Sequence, residues 1–574
     1  MESKWIIQTL TKEQEDISRE LADKLKISRV SADMLARRGI LTAEEARMFI
    51  RPDMQRLHNP FLLKDMDKAV SRLSEAIDKQ DRILVYGDYD VDGTTATALV
   101  YKFLRGIHSN LDFYIPDRYT EGYGVSNAGV DYAAETGCNL IIALDCGIKD
   151  AEQVAYATEK GIDFIICDHH LPDETLPQAV AVVDAKRKDC TYPDKGLSGC
   201  GVGYKLLQAY CLYKNIPLEQ LNSSLELLAL SIACDIVPMR GENRILAYYG
   251  LRQLNVRPSV GIKCLLDISK VEQGKVNISD LGFKIGPRIN ASGRIKSGKD
   301  AVRLLITDDL QEAKNIAEAI NDYNDDRRNK EEEIVKEAKA LLEADGNNNQ
   351  HKATVVCGQN WLKGVVGIVA SRLIDSYYRP TIVLSESDGI ASGSARSVGG
   401  FDIYAAIDSC SDLLSSFGGH VYAAGLSMKS ENVPAFKQRF EQYVAEHILP
   451  EQCFPTIQVE SEISFADINN KFLRIIDCLE PFGPGNPRPV FVTRDVCNYR
   501  YTKTVGKQQE HLRLDVTDRT GYMQGIAFGK GELAVHLQNG ENVDLCYELG
   551  QNTYNGYTTT QMMVKDIKLI KSNN

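Results

Sequence analysis

The stretch that most constrains this chain is Ile83-Leu-Val-Tyr-Gly-Asp-Tyr-Asp-Val-Asp-Gly-Thr-Thr-Ala-Thr-Ala-Leu-Val100. Ile83 to Tyr86 form a short apolar run that reads as a buried strand. Asp88, Asp90 and Asp92 follow, two residues apart. After Gly93, the apolar positions Ala96, Leu99, Val100, Phe103 and Leu104 fall at helical spacing. Three acids therefore occupy the turn between a strand and a helix, where open α/β sheets build their sites. Crowded carboxylates repel one another unless they are solvated or a cation lies between them. Taken alone, the turn fits an acidic, hydrated loop as well as it fits a site. An EF-hand does not fit, because no bidentate Glu follows at the required position.

At 574 residues the chain is too long for one core, and about three or four domains are expected. It is 43% hydrophobic and 25% charged, which is ordinary for a soluble globular protein. No stretch approaches a membrane span, and Met-Glu-Ser-Lys-Trp at the start lacks a signal-peptide pattern. The 14 cysteines form no CxxC pair, and Cys146, Cys167 and Cys234 sit inside apolar runs. Free thiols in a reducing cytoplasm are expected rather than disulfides or a zinc site. The net charge of -12 argues against a bulk electrostatic grip on nucleic acid but allows a local basic groove.

From Ile83 onward, strands and helices alternate. The expected strands are Leu111 to Ile115, Asn139 to Asp145, Asp163 to His170 and Ala179 to Val183. The second ends in Asp145 and the third in Asp168, His169 and His170. An apolar helix, Leu225 to Cys234, runs into Asp235 just before Pro238. Each acid or imidazole alone is explained by a cap or a solvated turn. Strand ends of one parallel sheet converge in space, however, so the set reads as a metal site. Carboxylates with one or two imidazoles suit Mn²⁺ or Mg²⁺ better than structural zinc.

Val85-Tyr-Gly-Asp-Tyr-Asp-Val-Asp-Gly93, Leu144-Asp-Cys-Gly147 and Asp168-His-His170 resemble the successive motifs of the DHH phosphoesterase superfamily. Four further stretches are similar to motifs of its bacterial single-strand-specific DNA exonucleases. They are Gly286-Pro-Arg-Ile-Asn-Ala-Ser-Gly-Arg294, Trp361-Leu-Lys-Gly-Val-Val-Gly-Ile-Val-Ala-Ser-Arg372, Phe417-Gly-Gly-His420 and Pro481-Phe-Gly-Pro-Gly-Asn-Pro487. The resemblance covers nearly the whole chain in order. The chain departs from it at Leu362, where His is frequent, and at Ala395, where Gly is common. Neither change removes a metal ligand.

In the second half, a charged helical stretch from Asp308 to Glu343 is too polar for a core and is expected to bridge two lobes. A new α/β unit begins at Ala353 and carries two Gly-rich loops, Ser392 to Gly400 and Phe417 to His420, which plain turns also explain. The resemblance makes this unit a DHHA1 domain that closes over the metals. Beyond Thr456, short strands without α/β alternation read as a small β-barrel, best matched by an OB-fold. Tyr499, Arg500, Tyr501, Lys503 and Lys507 suit single-strand binding, or are ordinary strand aromatics beside a solvated hairpin. The fold class expected is α/β. The domains expected are a helical N-terminal extension (1–70), a parallel-sheet DHH domain (71–305), a connecting helix (306–345), the DHHA1 domain (346–450) and the OB-fold (451–574).

The resemblance implies two-metal hydrolysis of single-stranded DNA, 5′→3′, to 5′-mononucleotides, in DNA repair and recombination. Two divalent cations, Mn²⁺ or Mg²⁺, would lie roughly 4 Å apart. Asp145 would bridge them, Asp88 and Asp90 would hold one, Asp92 and His169 the other, and Asp235 would complete the shell. His170 and His420 are the catalytic candidates. Arg118, Tyr123, Arg288, Asn290, Ser292, Arg294, Ser394, Arg396, Gly418 and Gly419 are the substrate-binding ones. Arg suits phosphate because its fork bonds two oxygens. The expected partners are single-stranded DNA, a single-strand-binding protein and a helicase, with the enzyme a cytoplasmic monomer. Two alternatives remain at this point: a small-substrate phosphodiesterase without a barrel, and a non-catalytic relative that has lost ligands.

Overall fold

The computed structural model describes residues 3–346, 350–554 and 557–570. It divides into two compact units, Asp53–Leu449 and the combination of Met1–Pro52 with Pro450–Asn574. The first unit contains a parallel five-stranded sheet in the spatial order Leu111–Tyr114, Ile83–Gly87, Leu140–Leu144, Asp163–Cys167, Ala181–Val183. Its inner strands are apolar on both faces because both faces are covered. Ile83, Val85, Leu140, Ile142 and Ile165 pack under the helices Met66–Lys79, Val91–Arg105 and Gly199–Lys214. Leu84, Tyr86, Ile141, Ala143 and Phe164 pack under Asn127–Glu135 and Ala151–Glu159.

The strand order fixes where a site can form. From Ile83–Gly87 the chain steps outward to Leu111–Tyr114, then crosses to Leu140–Leu144 on the other side. The order reverses between the strands ending at Gly87 and Leu144. The loops after them part and leave a crevice, the usual ligand position in a doubly wound sheet.

The long helix spans Leu310–Ala344. It is not polar all round: one stripe, Ala313, Ala317, Ile320, Asn324, Glu331, Ile334, Ala338 and Leu342, is buried. The first half of that stripe joins the core of the parallel-sheet lobe. The second half packs with Val356, Trp361, Val369 and Leu373 of the next lobe. One helix thus belongs to two cores. The second lobe has a mixed sheet in the order Ser416–His420, Ala423–Lys429, Ile390–Arg396, Thr381–Ser387, Thr354–Gln359. Ala395, Ala424, Leu426, Phe436 and Phe440 fill the core on one face. The helix Val366–Tyr377 covers Val383 on the other face.

The helical extension expected over 1–70 is corrected in two ways: residues from Asp53 onward belong to the first unit, and the described residues up to Pro52, in the second unit, are not purely helical. Lys4–Ile7 is a strand paired in parallel with Thr456–Val459. Leu21, Met34 and Leu35, from the helices Lys12–Leu25 and Arg29–Arg37, share one core with Phe472, Leu479 and Phe491. Arg38 is buried and bonds Glu460 at 3.2 Å, Asn486 at 2.9 Å and the Pro487 carbonyl at 2.8 Å. The Pro481–Pro487 motif therefore serves here as a clamp. The strands Val490–Asn498, Val543–Tyr554, Tyr557–Leu569, Tyr522–Ala527 and His511–Thr517 pair in that order, and the last returns to the first, closing a five-stranded barrel. On the same unit, Tyr499 stacks on Tyr522 at 5.8 Å and Arg500 lies over the Tyr499 ring. No helix among the described residues is long and apolar enough to cross a membrane.

Candidate metal centre and phosphate cradle

Two strand ends and a tight turn build the centre. Asp88 leaves the strand Ile83–Gly87 and is buried. Asp90 caps the helix Val91–Arg105, its Oδ1 accepting the Gly93 N–H at 3.0 Å. Asp92 lies in that helix's first turn. Gly93 is required because a Cβ there would stand 2.5 Å from the Asp88 carbonyl oxygen. The turn folds back on itself, and the three acids face one space. Asp145 follows Leu140–Leu144 with φ +59°, a left-handed conformation that a non-glycine residue adopts at a cost of about 1–3 kcal/mol. Strain of this kind collects at sites that the surrounding fold holds in place.

The ligand atoms of Asp145, His169 and His170 lie within 4.8 Å of one another, as do those of Asp92, His169 and Asp235. His169 Nε2 is shared: it lies 3.1 Å from Asp145 Oδ1, 3.6 Å from Asp235 Oδ2 and 3.8 Å from Asp92 Oδ2. Asp88 and Asp90 belong to neither triplet, but each feels the field of the others' charges. Buried and without a hydrogen bond are Asp88 Oδ1, Asp145 Oδ1, Asp235 Oδ2 and His169 Nδ1.

The electrostatics follow from crowding without water. Burial, then the Asp90 charge, lifts the Asp88 carboxyl well above the usual range. Burial, then Asp92 and Asp90, does the same to Asp145. Asp92 is pushed up to about 7 by burial and by Asp235 and Asp90, against the Ser231 hydroxyl. His169 is pushed down to about 4 by burial, against the pull of Asp235. Carboxylates held this way favour a cation between them.

Several contacts that hold the centre were not legible in the sequence. Asp168 is a bracket: its Oδ1 accepts the His169 and His170 N–H groups and lies 2.8 Å from His170 Nδ1, and its Oδ2 accepts the Ile148 N–H. Burial opposes the His170 charge, but this Asp168 contact outweighs it and raises the imidazole. Asp92 Oδ2 accepts the Gly199 N–H at 2.6 Å, and its Oδ1 accepts Cys200 N–H at 2.9 Å and Ser231 Oγ at 2.7 Å. Glycines at a helix start and a serine inside an apolar helix carry no signal until packing brings them to Asp92.

Guanidinium groups lie near these carboxylates, and the Arg118 charge acts on Asp88. Arg118 lies over the Tyr89 ring at 4.8 Å. Tyr123 edges against Tyr89 and His170, and its hydroxyl lies 3.1 Å from His170 Nε2. Arg294 donates to the Gly364 carbonyl of the second lobe at 2.5 Å, and Tyr119 donates to the Arg294 carbonyl. Burial, then the like charge of Arg118, lowers the Arg294 guanidinium to about 10. A Cβ on Gly367 would lie 2.8 Å from Arg396 Nη2 and 3.4 Å from Ser394 Oγ, so both groups border the first turn of the helix Val366–Tyr377. Arg396 bonds its neighbour's carbonyl, and burial alone lowers it.

Strand register sorts the remaining candidates. Arg396 pairs with Ala423, which pairs with His420, and Ser394 pairs with Gly425, which pairs with Gly418. Paired residues share a face, so Ser394, Arg396, Gly418 and His420 lie on one face. Gly419 is exposed and pairs with Ala424, in the register alternate to Gly418 and His420. Ser292 is a correction: it is fully buried and its hydroxyl donates to the Ile289 carbonyl within its own helix. Asn290 is half-buried. Arg288 donates to Asn321 of the long helix at 3.1 Å.

Known proteins share this arrangement. Residues 82–232 match the DHH family N-terminal domain, residues 349–446 the DHHA1 domain and residues 459–566 the RecJ OB domain. The single-stranded-DNA-specific exonuclease RecJ of Bacillus subtilis is 36% identical, over 98% of this chain and 70% of its own length. That of Escherichia coli is 33% identical, over 93% of this chain and 95% of its own. The crystal structure of RecJ with Mn²⁺ from Thermus thermophilus superposes with a TM-score of 0.84 at 27% identity, covering 99% of this chain and 80% of that one. A RecJ from the same organism was solved with Mg²⁺ (TM-score 0.78, 26% identity, 99% and 79% covered). With all three domain models matched in order and full-length relatives above 30% identity, this chain belongs to the RecJ family of single-stranded-DNA-specific exonucleases.

Proposed function

We propose that this chain hydrolyses single-stranded DNA from the 5′ end, releasing 5′-mononucleotides, with two divalent cations, Mn²⁺ or Mg²⁺, at the Asp145 centre. The observation that carries this reading is the pair of ligand triplets sharing His169 at the switch point of the sheet. The residues fit such ions: hard oxygen donors with imidazole, and buried carboxylate oxygens with no hydrogen bond. Asp88, Asp90, Asp145 and His170 would hold one ion, and Asp92, Asp145, His169 and Asp235 the other. When bound, such a pair activates water and stabilises the leaving oxygen.

The chain's own groups do the rest. Arg118, Arg294 and Arg396, with Ser394, orient the phosphates, because guanidinium forks fix an oxyanion in place. His170, its Nδ1 fixed by Asp168, presents Nε2 toward Tyr123 and the phosphate. His420, exposed on the second lobe, adds a contact that strengthens as charge grows on the phosphate. The barrel holds the strand by stacking and charge, which a small-substrate phosphodiesterase does not need. We assign 53–305 to the catalytic domain, because the helix Met66–Lys79 packs on its sheet, 306–345 to the connecting helix, 346–450 to the closing domain and 451–574 to the barrel. The process is DNA repair and recombination, in the cytoplasm, as a monomer, with a helicase and a single-strand-binding protein preparing the substrate.

Asp145→Ala tests the reading. It should abolish metal-dependent cleavage and leave single-strand binding largely intact, since the phosphate contacts lie elsewhere. Full activity in this variant overturns the two-metal centre.

A further inference from the structure

A cavity of about 740 Å³ opens where the helices Gly286–Ile295, Leu310–Ala344 and Val366–Tyr377 meet. No metal-centre carboxylate or imidazole lines it. Six cationic side chains do: Arg288, Arg327, Arg328, Lys336, Lys339 and Arg372. They face two carboxylates, Glu331 and Glu332. Glu331 is already engaged, with Arg327 at 2.8 Å and Arg372 at 3.0 Å. Among the described residues, Arg288 bonds only Asn321 and the Lys284 carbonyl, and Arg328, Lys336 and Lys339 make no ion pair. Cations on a long surface helix are ordinarily dispersed in water. Here they converge on one space, and burial, with the like charges of Arg328 and Arg327 and against the opposite charge of Asp325, lowers the Arg288 guanidinium.

The second observation is aromatic. Phe283 lines the same cavity and is 83% exposed. It sits on the π-helical turn Leu281–Ile285, a conformation that often marks functional positions. A ring this exposed, beside a surplus of cations, suits a ligand with one flat face and one anionic end. The volume is in the range that holds a small molecule, about 300–1,000 Å³. The charge of Arg327, which lines the cavity, acts on both Arg288 and Arg294.

We infer that this cavity binds a nucleoside 5′-monophosphate, its phosphate among Arg288, Arg328, Lys336 and Lys339 and its base against Phe283. The inference rests on the reading that hydrolysis releases such products, and makes the cavity a product-holding site beside the catalytic one. A terminal phosphate monoester carries roughly 1.5–2 negative charges at neutral pH against about one for a diester within a strand. A site with excess positive charge therefore favours the freed product.

The test is calorimetric titration of the full chain with dTMP in chelator, beside thymidine and a six-nucleotide oligothymidylate. Expected is binding of dTMP, with thymidine weaker by about tenfold or more. Lys336→Glu with Lys339→Glu should lower dTMP affinity about tenfold, and Lys336→Gln with Lys339→Gln should do so less. Phe283→Ala should lower it about fivefold or more. Asp145→Ala and Arg396→Ala should keep the binding. Unchanged dTMP affinity in the double Glu variant overturns the inference, as does loss of all binding in Arg396→Ala. Selective loss of the oligonucleotide in the double variant, with dTMP unaffected, assigns the cavity to the strand and also overturns it. Initial hydrolysis rates without added nucleotide report on the proposed function, so either can fail without the other.

Discussion

Gly199 and Asp145 stand so close that no side chain fits between them: a Cβ on Gly199 would lie 2.6 Å from the Asp145 Cβ. The Gly199 N–H meanwhile donates to Asp92 Oδ2 at 2.6 Å. One glycine thus sets the distance between two ligand-bearing segments. Gly199→Ala should improve helix propensity yet push Asp145 aside. Overpacking costs about 1–3 kcal/mol, and a ligand displaced by about 1 Å can cost a hundredfold in rate. Thermal unfolding should shift modestly while hydrolysis falls about a hundredfold. A variant that cleaves at the wild-type rate would show that this contact does not position Asp145.

Asn243 makes a similar link at longer range. It is fully buried and donates to the Gly196 carbonyl at 2.6 Å and the Pro238 carbonyl at 3.1 Å. Gly196 leads into the Asp92-binding helix start, and Pro238 lies in the loop that begins with Asp235. Asn243→Ala should cost about 2 kcal/mol of stability by stranding the two carbonyls. It should also weaken Mn²⁺ binding by roughly 10–100-fold, read by electron paramagnetic resonance titration. Stability loss with unchanged Mn²⁺ affinity would make the residue purely structural.

Much of this centre was legible because strand ends announce themselves: an apolar run followed by Asp88, Asp145 or Asp168-His-His170 is a local pattern. The helix Leu225–Cys234 was readable to the residue for the same reason. What escaped is long-range. The strand Lys4–Ile7 pairs with residues some 450 positions away, and its four residues have no pattern of their own. Ser231 and Gly199 acquire meaning only when three helices stack around Asp92. Ser292 misled because a motif gives position, while the helix phase decides direction.

Asp65 provides a pH prediction away from the metals. Burial opposes its charge, but hydrogen bonds from Lys68 and Arg187 hold its carboxyl below the usual range. The Arg187 contact is 2.6 Å. A depressed carboxylate stabilises the fold above its unfolded value of about 4, and this is lost as pH falls through the lower folded value. Asp65→Asn should cost about 1–3 kcal/mol at neutral pH. The gap from wild type in urea unfolding should close as pH drops below about 4. A gap independent of pH would contradict the ionic account.

The barrel unit can be separated cleanly only at two points. Cutting near Glu451 alone would leave residues 1–52 without the strand and core they pack against. The fragment 53–449 should keep metal-dependent hydrolysis of short oligonucleotides. It should bind long single strands more weakly, with a flatter salt dependence. Equal affinity of fragment and full chain for a long strand would assign the barrel another role.

The central claim is that a single strand reaches a buried metal pair where two lobes meet, Arg294 of one lobe bonding Gly364 of the other. A duplex holds its phosphates outward on a wide cylinder and cannot bring one to that depth. The most direct measurement is the initial rate with Mn²⁺ on a blunt duplex beside a 5′-tailed duplex of the same sequence, each labelled at the 3′ end of the strand to be digested. The tail should be removed and cleavage should slow sharply at the junction, with the blunt duplex nearly inert. Equal initial rates on the two substrates would contradict the account.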